Sequence, residues 1–176
     1  MRIEADAKLP FPRELVYRTY RDKLVQMLPY LPNVKNIELL ETKQEGSSTY
    51  FKNLWWAKGE IPKIAQSFLK PEMLSWYDHA TWHADRFTTA WRIQLRLLEK
   101  AVLCSGENQF EAVGDSTVMH IRGDLKIDAA QVPGVPRFLA GSVGPTVEKF
   151  VVGRITPNLL EVSKGIEQYL RANPEG

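Results

Sequence analysis

Apolar side chains recur at helical spacing through the last part of the chain: Val147, Phe150, Val151, Ile155, Leu159, Val162, Ile166 and Leu170. They form one stripe of about six turns, ~37 Å at 1.5 Å per residue. Glu148, Lys149, Glu161, Lys164, Glu167 and Arg171 fall mostly off it and mark a wet face. Pro157 interrupts the pattern by withholding one amide donor and pressing on the turn before it. Either the helix kinks there and continues, or a second helix starts with Thr156 as its cap; the unbroken phase of the stripe favours the first. A stripe this long needs a broad apolar surface, and only the preceding strands, joined as one sheet, supply it.

Those strands show a different period. Residues 2–9 alternate cleanly, with Ile3, Ala5, Ala7 and Leu9 on one side and Arg2, Glu4, Asp6 and Lys8 on the other. Residues 10–22 read as a short helix opened by Pro12, and 23–34 as a second short helix ended by Pro29 and Pro32. Strand patterns follow at 36–46, 47–59, 73–85, 87–100, 101–114 and 116–129, with turns at Gly46, Asp85-Arg86, Glu99-Lys100 and Gly114-Asp115. Residues 60–72, bracketed by Pro62 and Pro71, interrupt the series with a possible short helix. Gly106 reads, like Gly114, as a turn or bulge residue. Consecutive strands with short connections imply an antiparallel meander, which twists and can curl. The expected architecture is α+β: a curved antiparallel sheet of six to seven strands around a long C-terminal helix, with two short helices after the first strand. Residues 1–176 are expected to form a single domain.

This order, in which a strand runs into a Pro-flanked helix (KLPFPRELVYRTYRD) and an amphipathic helix closes the chain, resembles the START-like helix-grip superfamily, also called SRPBCC. The insertion IPKIAQSFL before a Trp-rich strand is similar to the PRELI branch of phospholipid-transfer proteins. The resemblance covers nearly the whole chain, but as a pattern of elements without a motif that transfers residue by residue. It implies an elongated cavity between sheet and helix that holds a lipid or other hydrophobic small molecule.

Composition narrows the partners. A net charge of +2 with scattered basic residues gives no nucleic-acid footprint. The single cysteine, Cys104, excludes an internal disulfide and suits a reducing compartment. The first residues carry no apolar h-region and no run of ~18 apolar residues occurs, so neither a secretory signal nor a membrane span is expected, and the cytoplasm is the expected location. Phosphate-loop and nucleophile-elbow spacings are absent, and no cofactor is expected. Five Trp, six Tyr and seven Phe exceed what a minimal core needs.

Candidate binding residues come from alternation. Trp91 and Ile93, with Leu95 and Leu97, form the apolar set of one strand; Met119 and Ile121, with Leu125 and Ile127, that of another. Such rows are core or cavity wall. In WYDHATWH (76–83) one face carries Trp76, Asp78, Ala80 and Trp82, the other Tyr77, His79, Thr81 and His83. If the first faces in, Asp78 is a carboxyl between two indoles, desolvated and with a raised pKa, suited to a general acid. If the second does, two histidines could move a proton, though ~13 Å apart on a strand they suit no metal. Both faces remain open, as does an exposed, purely polar outer face. Adjacent Trp55 and Trp56 point to opposite sides, and Trp56 is taken for the ligand side. On the helix, Phe150 lies on the stripe. Arg154 lies near it, either snorkelling to the edge or standing at the cavity wall for an anionic group. Arg92 and His79 are further polar candidates. Phe68 and Leu69, flanked by Lys63 and Lys70, could touch a membrane transiently. The leading expectation is a binding protein that carries or presents a hydrophobic molecule. The alternatives are a cavity enzyme of the aromatase/cyclase or hydrolase type, and a membrane-docking chaperone of a lipid or quinone pathway.

Overall fold

The computed structural model describes residues 1–59, 74–96, 98–131 and 140–174; of Ala129 and most residues between 140 and 158 it describes the backbone alone. Seven strands form one antiparallel sheet in the order β1-β7-β6-β5-β4-β3-β2. They are β1 (Arg2–Leu9), β2 (Val34–Glu45), β3 (Ser48–Ala57), β4 (Ser75–His83), β5 (Thr88–Leu95), β6 (Val102–Val113) and β7 (Ser116–Ile127). β2 to β7 run as a meander, and β1 closes onto β7 with Ala5 opposite Ile121 and Ala7 opposite Met119. The first strand is thus a neighbour of the last because its alternating face continues the same apolar surface.

Helix α1 (Arg13–Asp22) follows β1, and α2 (Ala140–Ala172) closes the fold on the concave side of the curved sheet. α2 is one helix of 33 residues, continuous through Pro157, so no second helix starts there. Its described stripe behaves as its spacing demands: Val162, Ile166 and Leu170 are buried. On the wet side, Glu161 pairs with Lys164 at 2.7 Å and Glu167 with Arg171 at 2.6 Å. The side chains of Val147, Phe150, Val151, Arg154 and Ile155 lie outside the described residues.

The second short helix expected over 23–34 does not form. Residues 24–27 make turns and only Leu28–Tyr30 is helical, as a single 3-10 turn. Pro29 and Pro32 each withhold an amide donor, and Pro32 steers Leu31 away from the α region, to φ −111° and ψ 85°. This short segment nevertheless anchors α2. Tyr30 meets Tyr169 edge-on with ring centres 6.0 Å apart. Gly165 lies so close to Leu31 that an added Cβ would stand 2.6 Å from its Cδ2.

Gly106 is not a turn residue. It sits in mid-β6, opposite Trp91 on β5 and Gly123 on β7. An added Cβ would come 2.5 Å from the Trp91 ring and 2.2 Å from the Arg122 carbonyl oxygen. The two glycines make the flat bed on which the Trp91 indole lies.

α2 packs against β1, β7, α1 and the 3-10 turn. Under that contact the inward residues of β1, β6 and β7 form a closed core, with Leu9, Phe110, Met119, Ile121 and Leu125 at most 2% exposed. Over β3, β4 and β5 the space is not filled in this way.

Candidate functional site

Between the concave face of β3–β5 and the middle of α2 lies a cavity of about 240 Å³. That is far above the ~10–15 Å³ that one water needs. Alternation builds its floor: β3 contributes Phe51, Asn53, Trp55 and Ala57, β4 Trp76, Asp78, Ala80 and Trp82, and β5 Thr89, Trp91, Ile93 and Leu95. Leu159 and Val162 of α2 form the facing wall, and Tyr20 to Val25 close one side. Val25 and Leu39 are 46% and 49% exposed while lining it, which places the opening at their rim.

Four of the five tryptophans line this space. Trp55 and Trp76 are cross-strand partners and stack with ring centres 5.7 Å apart and planes 18° off parallel. Trp82 is met edge-on by Tyr20 at 5.0 Å and Tyr17 at 5.2 Å from α1, with Phe110 behind. The aromatic excess is therefore spent on the cavity and on the α1 plug at its end. Trp91 is held by its Nε1 donating to Asn108 Oδ1 at 2.9 Å.

The first face of WYDHATWH is the inner one. Asp78 lies between Trp76 and Trp82 along β4 and opposite Asn53, whose Nδ2 donates to Asp78 Oδ2 at 3.3 Å. Burial pushes its pKa up to about 6, while Asn53 and Trp55 N–H groups pull the other way. The carboxyl is enclosed by protein yet still reaches the cavity. Thr89 Oγ1, on the cavity lining, has no hydrogen-bond partner among the described residues. A buried polar atom left unpaired is costly, so it marks a position for a polar group of an occupant.

Of the other expected site residues, Trp76, Trp82, Trp91 and Ile93 are on the cavity lining. Met119 and Ile121 point inward but are sealed in the packed half of the core, at 0% and 1% exposure. Trp56 faces the opposite way. The β3–β4 register puts Trp55 over the cavity beside Trp76, and adjacency then turns Trp56 to the outer face. His79 is also on the outer face, hydrogen-bonded through Nδ1 to the Tyr50 hydroxyl at 2.8 Å and through Nε2 to Gln94 Oε1 at 3.0 Å. Burial lowers its pKa. Arg92 is exposed on that side too. Phe150, Arg154, Phe68 and Leu69 lie outside the described residues. Asn53, Thr89 and Asn108 were not anticipated, and Trp55 stands where Trp56 was expected; the only signal for them is their strand phase, which the sequence alone leaves ambiguous.

Cys104 is buried, and its thiol is pushed up to about 12, so it offers no nucleophile. Among the described residues no three His, Cys, Asp or Glu side chains gather as a metal set, and no helix is long and apolar enough to cross a membrane.

Seven antiparallel strands curled against one long C-terminal helix, over a cavity, make a helix-grip fold. Similar solved structures bear this out. The Zhui aromatase/cyclase from Streptomyces sp. R1128 superposes with a TM-score of 0.70 at 14% identity, covering 100% of this chain and 96% of that one. Norcoclaurine synthase from Thalictrum flavum gives 0.59 at 14% identity, covering 97% and 86%. Ara h 8.0201 gives 0.55 at 16% identity, covering 98% and 99%. Likeness at such identity establishes the fold and nothing finer. No family model and no curated protein matches the chain.

Proposed function

We propose that the chain is a ligand-binding protein whose whole length works as one unit to enclose a hydrophobic small molecule and carry or present it. One observation carries this reading. Within a single sheet, the inward Met119, Ile121 and Leu125 of β7 are sealed in the core, while the inward rows of β3–β5 border a cavity of about 240 Å³ walled by four indoles. Close packing tolerates few voids of that size unless something occupies them. Binding would come from apolar burial at roughly 25 cal/mol per Å².

The test is to fill the hole. Ala80 sits at the centre of the floor, between Phe51 and Trp91. Ala80→Leu is expected to abolish binding of a neutral aromatic probe while the melting temperature changes little. Unchanged binding by a folded Ala80→Leu variant would refute the proposal. Native mass spectrometry of fresh protein is expected to show a bound mass below that of a second chain.

A cavity enzyme is the second reading, and Asp78 favours it. Its acid group, Asn53, Thr89 and Asn108 all reach the floor, more polarity than a plain apolar container needs. If Asp78 acts as a general acid, turnover should fall as pH rises through about 6, where the acid loses its proton. A lipid as the ligand and membrane contact by Phe68 and Leu69 are finer versions of the carrier reading. Changing both residues to Asp should abolish liposome binding without unfolding.

A further inference from the structure

We infer that the occupant of this cavity is an organic cation, an apolar ring system bearing a basic amine, with its ammonium held by the Asp78 carboxylate beside the stacked indoles of Trp55 and Trp76. The inference rests on the reading of the cavity as a ligand site and adds the chemical class of the ligand.

Two in-register cross-strand pairs build the recognition point. Asn53 lies opposite Asp78, and Trp55 lies opposite Trp76 two residues along. One carboxyl therefore stands next to a pair of parallel indoles. Asn53 Nδ2 donates to Oδ2 at 3.3 Å, and the Trp55 N–H also acts on the carboxyl. A cation placed at the carboxylate gains a charge-assisted hydrogen bond, and an indole face attracts positive charge over ~6 Å.

The charge balance of the lining points the same way. Its described ionisable groups carrying charge are Arg21, Asp22 and Asp78. Arg21 is already committed to Asp22 through two hydrogen bonds of 2.7 and 2.8 Å. From α1, Tyr20 also faces Asp78, and burial pushes its hydroxyl well above the ordinary tyrosine pKa, so it stays neutral. Among the described residues, the other lining groups from β3, β5 and α2 are neutral. Among them no cation on the lining is free to pair with Asp78, which stands in an aromatic chamber. An anionic ligand would be repelled there. A neutral apolar ligand would strip the last water from the carboxyl and force it to take up a proton. A cation supplies the group, as an ion, with both a charge-assisted hydrogen bond and a compensating charge.

A matched naphthalene series tests the assignment by titration calorimetry on the intact protein: 2-naphthylmethylammonium, 2-naphthylmethanol and 2-naphthoate. At about pH 7.5 the ammonium is expected to bind at least about tenfold tighter than the alcohol. Asp78→Asn is expected to erase that preference. In the unmodified protein the preference should shrink as pH is lowered to about 5, because Asp78 then takes up a proton, and this arm needs no variant to fold. If the alcohol binds as tightly as the ammonium at pH 7.5, or the naphthoate binds tightest, the cation assignment is overturned and the cavity reading stands. If none of the three binds, the cavity reading falls and the inference with it.

Discussion

On β7 the inward side chains Met119, Ile121 and Leu125 are at most 2% exposed, whereas on β4 the inward Trp76 and Asp78 keep contact with open space. Both strands alternate with the same period and belong to the same sheet. The difference lies in what covers them. α2 comes down on β1 and β7 and rests at its far end on the 3-10 turn, so one half of the sheet is sealed and the other is bridged. The strands under the bridge can then carry a group that a sealed core would reject, the Asp78 carboxyl. Inward-pointing is therefore not one environment but two, and the helix decides which.

Truncation should separate the two halves most sharply. Met119→Ala removes a side chain with no exposed surface and leaves a hole, so a loss of about 2–5 kcal/mol is expected in chemical denaturation. Trp76→Ala, on the bridged side, is expected to cost clearly less stability while weakening ligand binding; equal losses at the two sites would erase the contrast. Next in size is the pH dependence of Asp78. Its folded pKa of about 6 lies above the ordinary value of 3.8, so the folded state binds the proton more tightly than the unfolded one. Its contribution to stability is then greatest below about pH 4, falls as pH rises to about 6, and is flat above. Asp78→Asn should accordingly raise stability near pH 7.5 by about 1–2 kcal/mol, less than the full shift implies because the carboxyl still touches cavity water. A fall in stability at that pH would show that Asp78 is compensated in the folded state. The smallest effect belongs to the outer face of the same strand. His79→Ala should change stability by under about 0.5 kcal/mol and leave ligand affinity unaltered, and a large loss of affinity there would move the site to the other side of the sheet.

Much of the fold was legible from period alone. The alternation of 2–9, of Trp91 to Leu95 and of Met119 to Ile127 reappears as strands with the expected faces turned inward, and the described end of the stripe, Val162, Ile166 and Leu170, is buried on the helix. The failures were local. Prolines 29 and 32 reduced a helix to one 3-10 turn, and Gly106 turned out to make room for an indole instead of a turn. The site was less legible. In β4 both faces mix aromatic and polar residues, so its pattern carries no phase, and the adjacent Trp55 and Trp56 carry none either.

The hydrophobic period by itself determined the elements, their order and the existence of a long apolar helix face in need of a sheet, because burial rewards alternation strand by strand without reference to distant partners. The phase of β3 and β4, and with it the choice of Trp55 over Trp56 and of Asp78 over His79, was decided only in the tertiary structure. Register between neighbouring strands and the line along which α2 descends are properties of the assembled sheet. A carboxyl becomes a buried acid only where that helix stands off and leaves a space to face.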